Sequence, residues 1–92
     1  MSDARWAVPD DVIWVDAEGA TFVLDTRVRD PRPQRLDGGG ILIWDLLTAR
    51  PRTIDELVDE IAAATGAPES EIRGGTAPFL ERMAHLGYVE RR

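Results

Sequence analysis

The clearest periodicity of apolar and polar positions falls between residues 53 and 65. Ile54, Leu57, Val58 and Ile61 recur at helical spacing, while Asp55, Glu56, Asp59 and Glu60 take the other face. Thr53 and Glu56 form a capping box at the start of this helix, and Gly66 supplies its stop. Upstream, Asp11 to Val15 and Ala20 to Asp25 are rich in β-branched and aromatic side chains. The four residues Asp16-Ala17-Glu18-Gly19 between them are a turn signal in which Gly19 can take positive φ. Together these segments predict a β-hairpin.

The polar stretch that follows carries Pro31 and Pro33, which confine any strand there to a short edge position. The third strand is therefore expected over Pro33 to Leu36. Asp37 then offers an N-cap to a short helix, Ile41 to Thr48, apolar on nearly all sides except at Asp45 and so expected to be buried. A third helix opens at Pro68, with Glu69 and Glu71 favouring its positive end. Ile72, Phe79, Met83 and Leu86 share one stripe of it. Gly74, Gly75 and Pro78 interrupt the pattern, and the missing amide of Pro78 predicts a kink or break between residues 73 and 78. Gly87 caps the end, and Tyr88-Val89 reads as a short extended tail. Three strands followed by three helices indicate an α+β arrangement. The whole of 1–92 reads as one domain, with 1–9 a loose lead-in that Trp6 and Val8 can pin down.

Composition narrows the functional classes. With no cysteine among 92 residues, disulfides, thiol chemistry and thiolate metal sites are excluded. The formal net charge is −6 and every basic residue is an arginine. That field repels a phosphate backbone, so nucleic acid is not an expected partner. No run approaches the ~20 apolar residues that cross a bilayer. The first residues lack the basic-then-apolar order of a signal peptide. Membrane association is not expected, and a cytoplasmic location is. The single histidine, His85, has no serine, cysteine or second histidine in a supporting position, and reads as a surface imidazole near a helix end. Gly38-Gly39-Gly40 lacks the lysine and hydroxyl of a phosphate loop and reads as a tight turn. Neither Ser2 nor Ser70 lies in the setting of a prosthetic-arm carrier. No catalytic residue, cofactor or metal is expected, and the chain reads as a protein that holds another polypeptide.

Three motifs in order support this reading. Leu36-Asp37-Gly38-Gly39-Gly40-Ile41-Leu42-Ile43-Trp44-Asp45-Leu46-Leu47 leads from the third strand into an apolar helix. Arg52-Thr53-Ile54-Asp55-Glu56-Leu57 starts the second helix, and Phe79-Leu80-Glu81-Arg82-Met83 with Leu86-Gly87-Tyr88-Val89 closes the domain. From Val12 to Val89 the chain resembles the PqqD-like family, small domains that bind the leader segments of ribosomally made, post-translationally modified peptides. The resemblance implies a winged helix-turn-helix-like fold, with a leader peptide added as an extra strand beside the third strand and packed against the third helix. An unpaired edge flanked by a helix suits that mode.

On this sequence the implied leader-binding residues are Pro33, Gln34, Arg35 and Leu36 on the strand, and Arg73, Thr76, Ala77, Leu80 and Ala84 on the helix. Ile72, Phe79 and Met83 are expected to face the core. Leu80, apolar but off that stripe, either lines the groove or widens the core. Arg35 and Arg73 are candidates to receive acidic leader residues. The resemblance also implies a separate modifying enzyme, a leader peptidase as in lasso-peptide pathways or a radical enzyme, which the domain would serve by raising the local concentration of precursor. Two alternatives remain open on the residues alone: a winged-helix DNA-binding protein, and a dimerising interaction adaptor.

Overall fold

In the computed structural model, which describes residues 4–92, the predicted hairpin is present. Strand β2 (Val12–Ala17) pairs antiparallel with β3 (Ala20–Asp25). The pair closes at Ala17↔Ala20 around Glu18 and Gly19, whose φ angles of 53° and 78° are both positive. A two-residue turn of that hand matches the twist of the strands it joins. Strand β4 (Gln34–Leu36) lies on the far side of β3, in register Thr21↔Leu36, Phe22↔Arg35 and Val23↔Gln34. Helices α1 (Gly39–Ala49), α2 (Ile54–Thr65) and α3 (Glu69–Leu86) follow, so the architecture is the expected α+β one.

One sheet face points at the helices and buries Val12, Val23 and Leu36 against Trp44, Leu47, Leu57 and Met83. The opposite face keeps Ile13 and Val15 more than half exposed, beside Phe22 and Leu24. The unbroken apolar run of β2 therefore feeds two faces, one buried and one open. Trp44 is fully buried and meets the Trp14 ring edge-on, with centroids 5.9 Å apart.

The capping box of α2 forms as read. The Thr53 hydroxyl accepts the Glu56 amide at 3.1 Å, and the Glu56 carboxylate accepts the Thr53 amide at 2.9 Å. Asp37 does not cap α1. Its carboxylate is held by Arg35 at 2.8 Å, its carbonyl accepts the Gly40 amide, and the cap residue is Gly38 with no side-chain bond. The helix consequently starts at Gly39, before the apolar run.

Helix α3 is continuous from Glu69 to Leu86 with Pro78 inside it, so of the kink or break expected between residues 73 and 78 the break does not occur. Gly74 and Pro78 are exposed, which lets solvent satisfy the carbonyl that Pro78 leaves without an amide. The buried line of α3 is Thr76, Leu80 and Met83. Leu80 thus belongs to the core, while Ile72 and Phe79 sit to one side, partly buried.

The expected loose lead-in is also corrected. Residues 1–3 lie outside the described part of the chain, but Trp6–Ala7 is a strand, β1, paired with β5 (Glu90–Arg91) at the other end of the chain. Trp6 exchanges backbone hydrogen bonds with Arg52, at 2.7 Å and 3.0 Å. Its indole is buried, with the Arg91 guanidinium 4.8 Å from the ring centroid. Arg52 is itself buried and donates to the Glu60 carboxylate at 3.2 Å.

A second tie fixes α3 against the sheet. Asp25, at the end of β3, accepts from the Arg27 amide (3.0 Å), Nε (2.9 Å) and Nη2 (3.1 Å). The same Nη2 donates to the Gly87 carbonyl at 2.8 Å, just past the end of α3. Gly87 has φ +91°, and a Cβ there would stand 3.2 Å from Asp25 Oδ2, so both backbone conformation and space call for glycine.

Two outcomes test this description. Trp6→Ala removes a buried anchor and is expected to destabilise the fold by about 3–5 kcal/mol, read as a lower urea midpoint with an unchanged slope. The hydrogen bonds from Arg27 hold the Asp25 carboxyl below its ordinary value. A depressed pKa stabilises the folded state above the unfolded value, about 3.9, and the contribution fades as pH falls through the folded one. Arg27→Gln is therefore expected to be less stable than the parent at neutral pH, with the two melting temperatures converging in acid below that value.

Candidate functional site

Strand β4 ends the sheet, so its outer backbone groups have no strand partner among the described residues. Helix α3 runs alongside that edge. At one end the Tyr88 hydroxyl donates to the Arg32 carbonyl at 3.3 Å, just before β4. At the other end the Phe79 ring lies against Gly40, just after β4, where a Cβ would meet Phe79 Cε1 at 3.1 Å. α3 is thus antiparallel to β4, and the two form the walls of a cleft. From Phe79 to Leu86 its helical wall is roughly 10 Å long at 1.5 Å per residue.

Beyond Phe79 the cleft leads to a cavity of about 370 Å³ between the start of α1, the end of α2 and the first half of α3. Gly39, Gly40 and Gly75 open it, and Ile61, Ile72 and Phe79 give it an apolar lining. Glu71 is the one charged residue among those that line it. The opening depends on the absent side chain at Gly40, where an added Cβ would press on the Phe79 ring.

The other sheet edge, β2, is longer and carries exposed Ile13 and Val15. What distinguishes β4 is the helix beside it and the cavity at its end, which can take side chains of a strand added there.

Of the residues expected to bind, Gln34, Arg35 and Leu36 form β4, with Pro33 directly before it. Leu36 turns into the core, Gln34 is half-buried on the same face, and Arg35 points outward to Asp37. Leu80 lies buried beneath α3 and presents no surface, whereas Thr76, also buried, is among the residues that line the cavity. Arg73 pairs with Asp55 at 2.6 Å near the start of α2, on the flank of α3 away from Phe79. Helical spacing puts Ala77 and Ala84 on that same flank, as it does Glu81, which pairs with Arg91.

The flank that meets β4 instead carries Ile72, Phe79, Arg82 and Leu86. Arg82 lies over the Phe79 ring, 5.8 Å from its centroid, and Leu86 is 45% exposed. The spacing i, i+3, i+7 from Phe79 contained this signal. It was obscured because the same apolar stripe reads equally well as a core face.

The side of the helices facing away from β4 is acidic. A hydrogen bond and charge repulsion from Asp59 raise the Glu69 carboxyl above its usual range, with Asp55 also close by.

Comparison with known proteins fits this arrangement. The family model described as coenzyme PQQ synthesis protein D (PqqD) matches residues 21–89, three quarters of the chain. The chain belongs to the PqqD family. Its match spans β3 to Val89 and so includes both walls of the cleft. No curated protein sequence matches this PqqD-family chain. Among solved structures, one described as TbiB1 in complex with the TbiA(beta) leader peptide shares the fold, with a TM-score of 0.78 at 23% identity. That match covers 91% of this chain and 94% of the other.

Proposed function

We propose that this PqqD-family chain is a non-catalytic binding protein for the leader segment of a ribosomally synthesised precursor peptide. The leader adds as a strand to β4 and lays alternate side chains into the cleft against α3, one of them reaching the cavity. The observation that carries this reading is the unpaired β4 edge flanked by α3 and leading to an apolar cavity. Main-chain hydrogen bonds supply affinity in this mode, and the pocket supplies selectivity. Membership of the PqqD family and the fold shared with a protein solved with a leader peptide support it.

Capture on this side leaves the outer sheet face, with Ile13 and Val15, free in the bound state. A carrier that passes its cargo to a separate enzyme, a leader peptidase or a radical enzyme in the cytoplasm, needs such a second surface. The role is to concentrate the precursor at the catalyst. Recognition of duplex DNA by the helices is disfavoured by the crowding of Asp55, Asp59 and Glu69, which already repel one another.

The deciding experiment is a titration of the purified protein with leader peptides encoded beside it, followed through backbone amide shifts. Saturable binding is expected, with shifts concentrated at residues 32–40 and on α3 around Ile72, Phe79, Arg82 and Leu86. Gly75→Val, at a cavity-lining position where an added Cβ meets nothing within 4 Å, is expected to weaken binding about tenfold while leaving the melting temperature within a few degrees. Shifts confined to β2, or no saturation with any such leader, would overturn the proposal.

A further inference from the structure

The sequence carries 11 basic residues, all arginine, against 17 carboxylates. Eight of these arginines form ion pairs within the structure. Among the described residues, Arg29, Arg32 and Arg82 form none. In so acidic a protein a guanidinium left without a carboxylate is unusual, and two of the three, Arg32 and Arg82, stand at the cleft. Arg32 stands at the entrance to β4, held there by the Tyr88 hydroxyl on its carbonyl. Arg82 is on the cleft-facing flank of α3, over Phe79. Arg29 is in the connection between β3 and β4.

Asp30, in the same connection as Arg29 and Arg32, forms no ion pair with either, and four other carboxylates are engaged elsewhere. Asp37 is taken by Arg35, Glu81 by Arg91, Asp25 by Arg27 and Glu90 by Arg92. Glu71 lies at the cavity, beyond Phe79 from this cationic end. The Phe79 ring holds one face of the Arg82 guanidinium and leaves its in-plane N–H donors free, a fork suited to a carboxylate.

We infer that the peptide taken by the cleft is acidic, with a carboxylate two or four residues along its extended backbone from an apolar anchor in the cavity, received by Arg82 and Arg32. The inference rests on the peptide-capture reading above and adds the chemistry of the partner. The spacing follows from geometry. Side chains on one face of a strand recur every second residue, at about 6.6–6.8 Å. Arg82 lies one helical turn past Phe79, roughly 4.5 Å of rise plus the reach of its side chain, which matches the second residue. Arg32, at the Tyr88 end, lies roughly 13 Å from Phe79 if the helical rise is continued, which matches the fourth.

The test uses a synthetic leader segment of a precursor encoded next to this chain, and the same peptide with every Asp and Glu replaced by Asn and Gln. Affinities are read by fluorescence anisotropy in low and high salt, about 0.05 and 0.5 M. Arg82→Gln is expected to weaken the native peptide about tenfold in low salt and to leave the amide peptide unchanged. Arg82→Lys is expected to recover part of the loss, and Arg5→Gln, remote from the cleft, to lose nothing. High salt should narrow the gap between native and amide peptides. Equal melting temperatures for the parent and the Arg82 variants exclude a folding defect. Tight binding of the native peptide by Arg82→Gln, or of the amide peptide by the parent, overturns the acidic partner while leaving peptide capture intact. A parent protein that binds neither peptide overturns capture itself, and this inference with it.

Discussion

The contact on which the cleft depends is the one Arg27 makes between Asp25 and the Gly87 carbonyl. A short sheet and a helix can pack at many angles, and apolar burial alone does not choose among them. One guanidinium that binds the last residue of β3 and the residue after α3 does choose, because its donors lie in a fixed plane. With that end pinned, the Phe79–Gly40 approach sets the other end, and Leu80 and Met83 fill the space between. The width of the cleft is thereby fixed by the fold, so that an incoming strand meets walls already in place.

The chain ends serve the same purpose from the opposite side. β1 and β5 pair with each other, and Trp6 bonds to Arg52 at the junction of α1 and α2. These contacts close a small domain that has no disulfide to help it. They also engage the flank of α3 that carries Glu81, through Arg91, whereas the flank with Phe79 and Arg82 holds no ion pair among the described residues.

Much of this was legible in the sequence where local chemistry decides the outcome. The capping box at Thr53, the turn at Gly19 and the stops at Gly66 and Gly87 each depend on a few adjacent residues, and each formed as read. Asp37 is a local exception, held by Arg35 instead of capping α1, and the other differences arise from tertiary contacts. The lead-in that Trp6 and Val8 can pin down does not read as a strand, because the partner of Trp6–Ala7 is at the other end of the chain, where no local pattern points to it. Pro78 looked like a break because its cost was judged in isolation, whereas burial of Thr76, Leu80 and Met83 holds both halves of α3 to one core. The flank of α3 that faces the cleft is harder still to read. Ile72, Phe79 and Leu86 are apolar for the sake of a cleft, yet an apolar stripe on a helix has the same appearance whether it meets a core or an empty groove.

The charge pattern carried information that neither periodicity nor motif contained. Arg82 and Arg73 are the same residue type on the same helix, and nothing in the sequence ranks one above the other. Only the three-dimensional pairing does: Asp55 neutralises Arg73, while Arg82 has an aromatic ring and no carboxylate. An acidic surface around an unneutralised cationic cleft works as selection by exclusion as well as by attraction. Polyanions of high charge density meet a net −6 field before they reach Arg82, whereas a single carboxylate on a short peptide meets that field only weakly. The same field is screened over roughly a Debye length, so the cleft's own arginines dominate once the peptide is close. On the function proposed above, overall acidity and local basicity are complementary, the first disfavouring nucleic acid and the second orienting a peptide along β4.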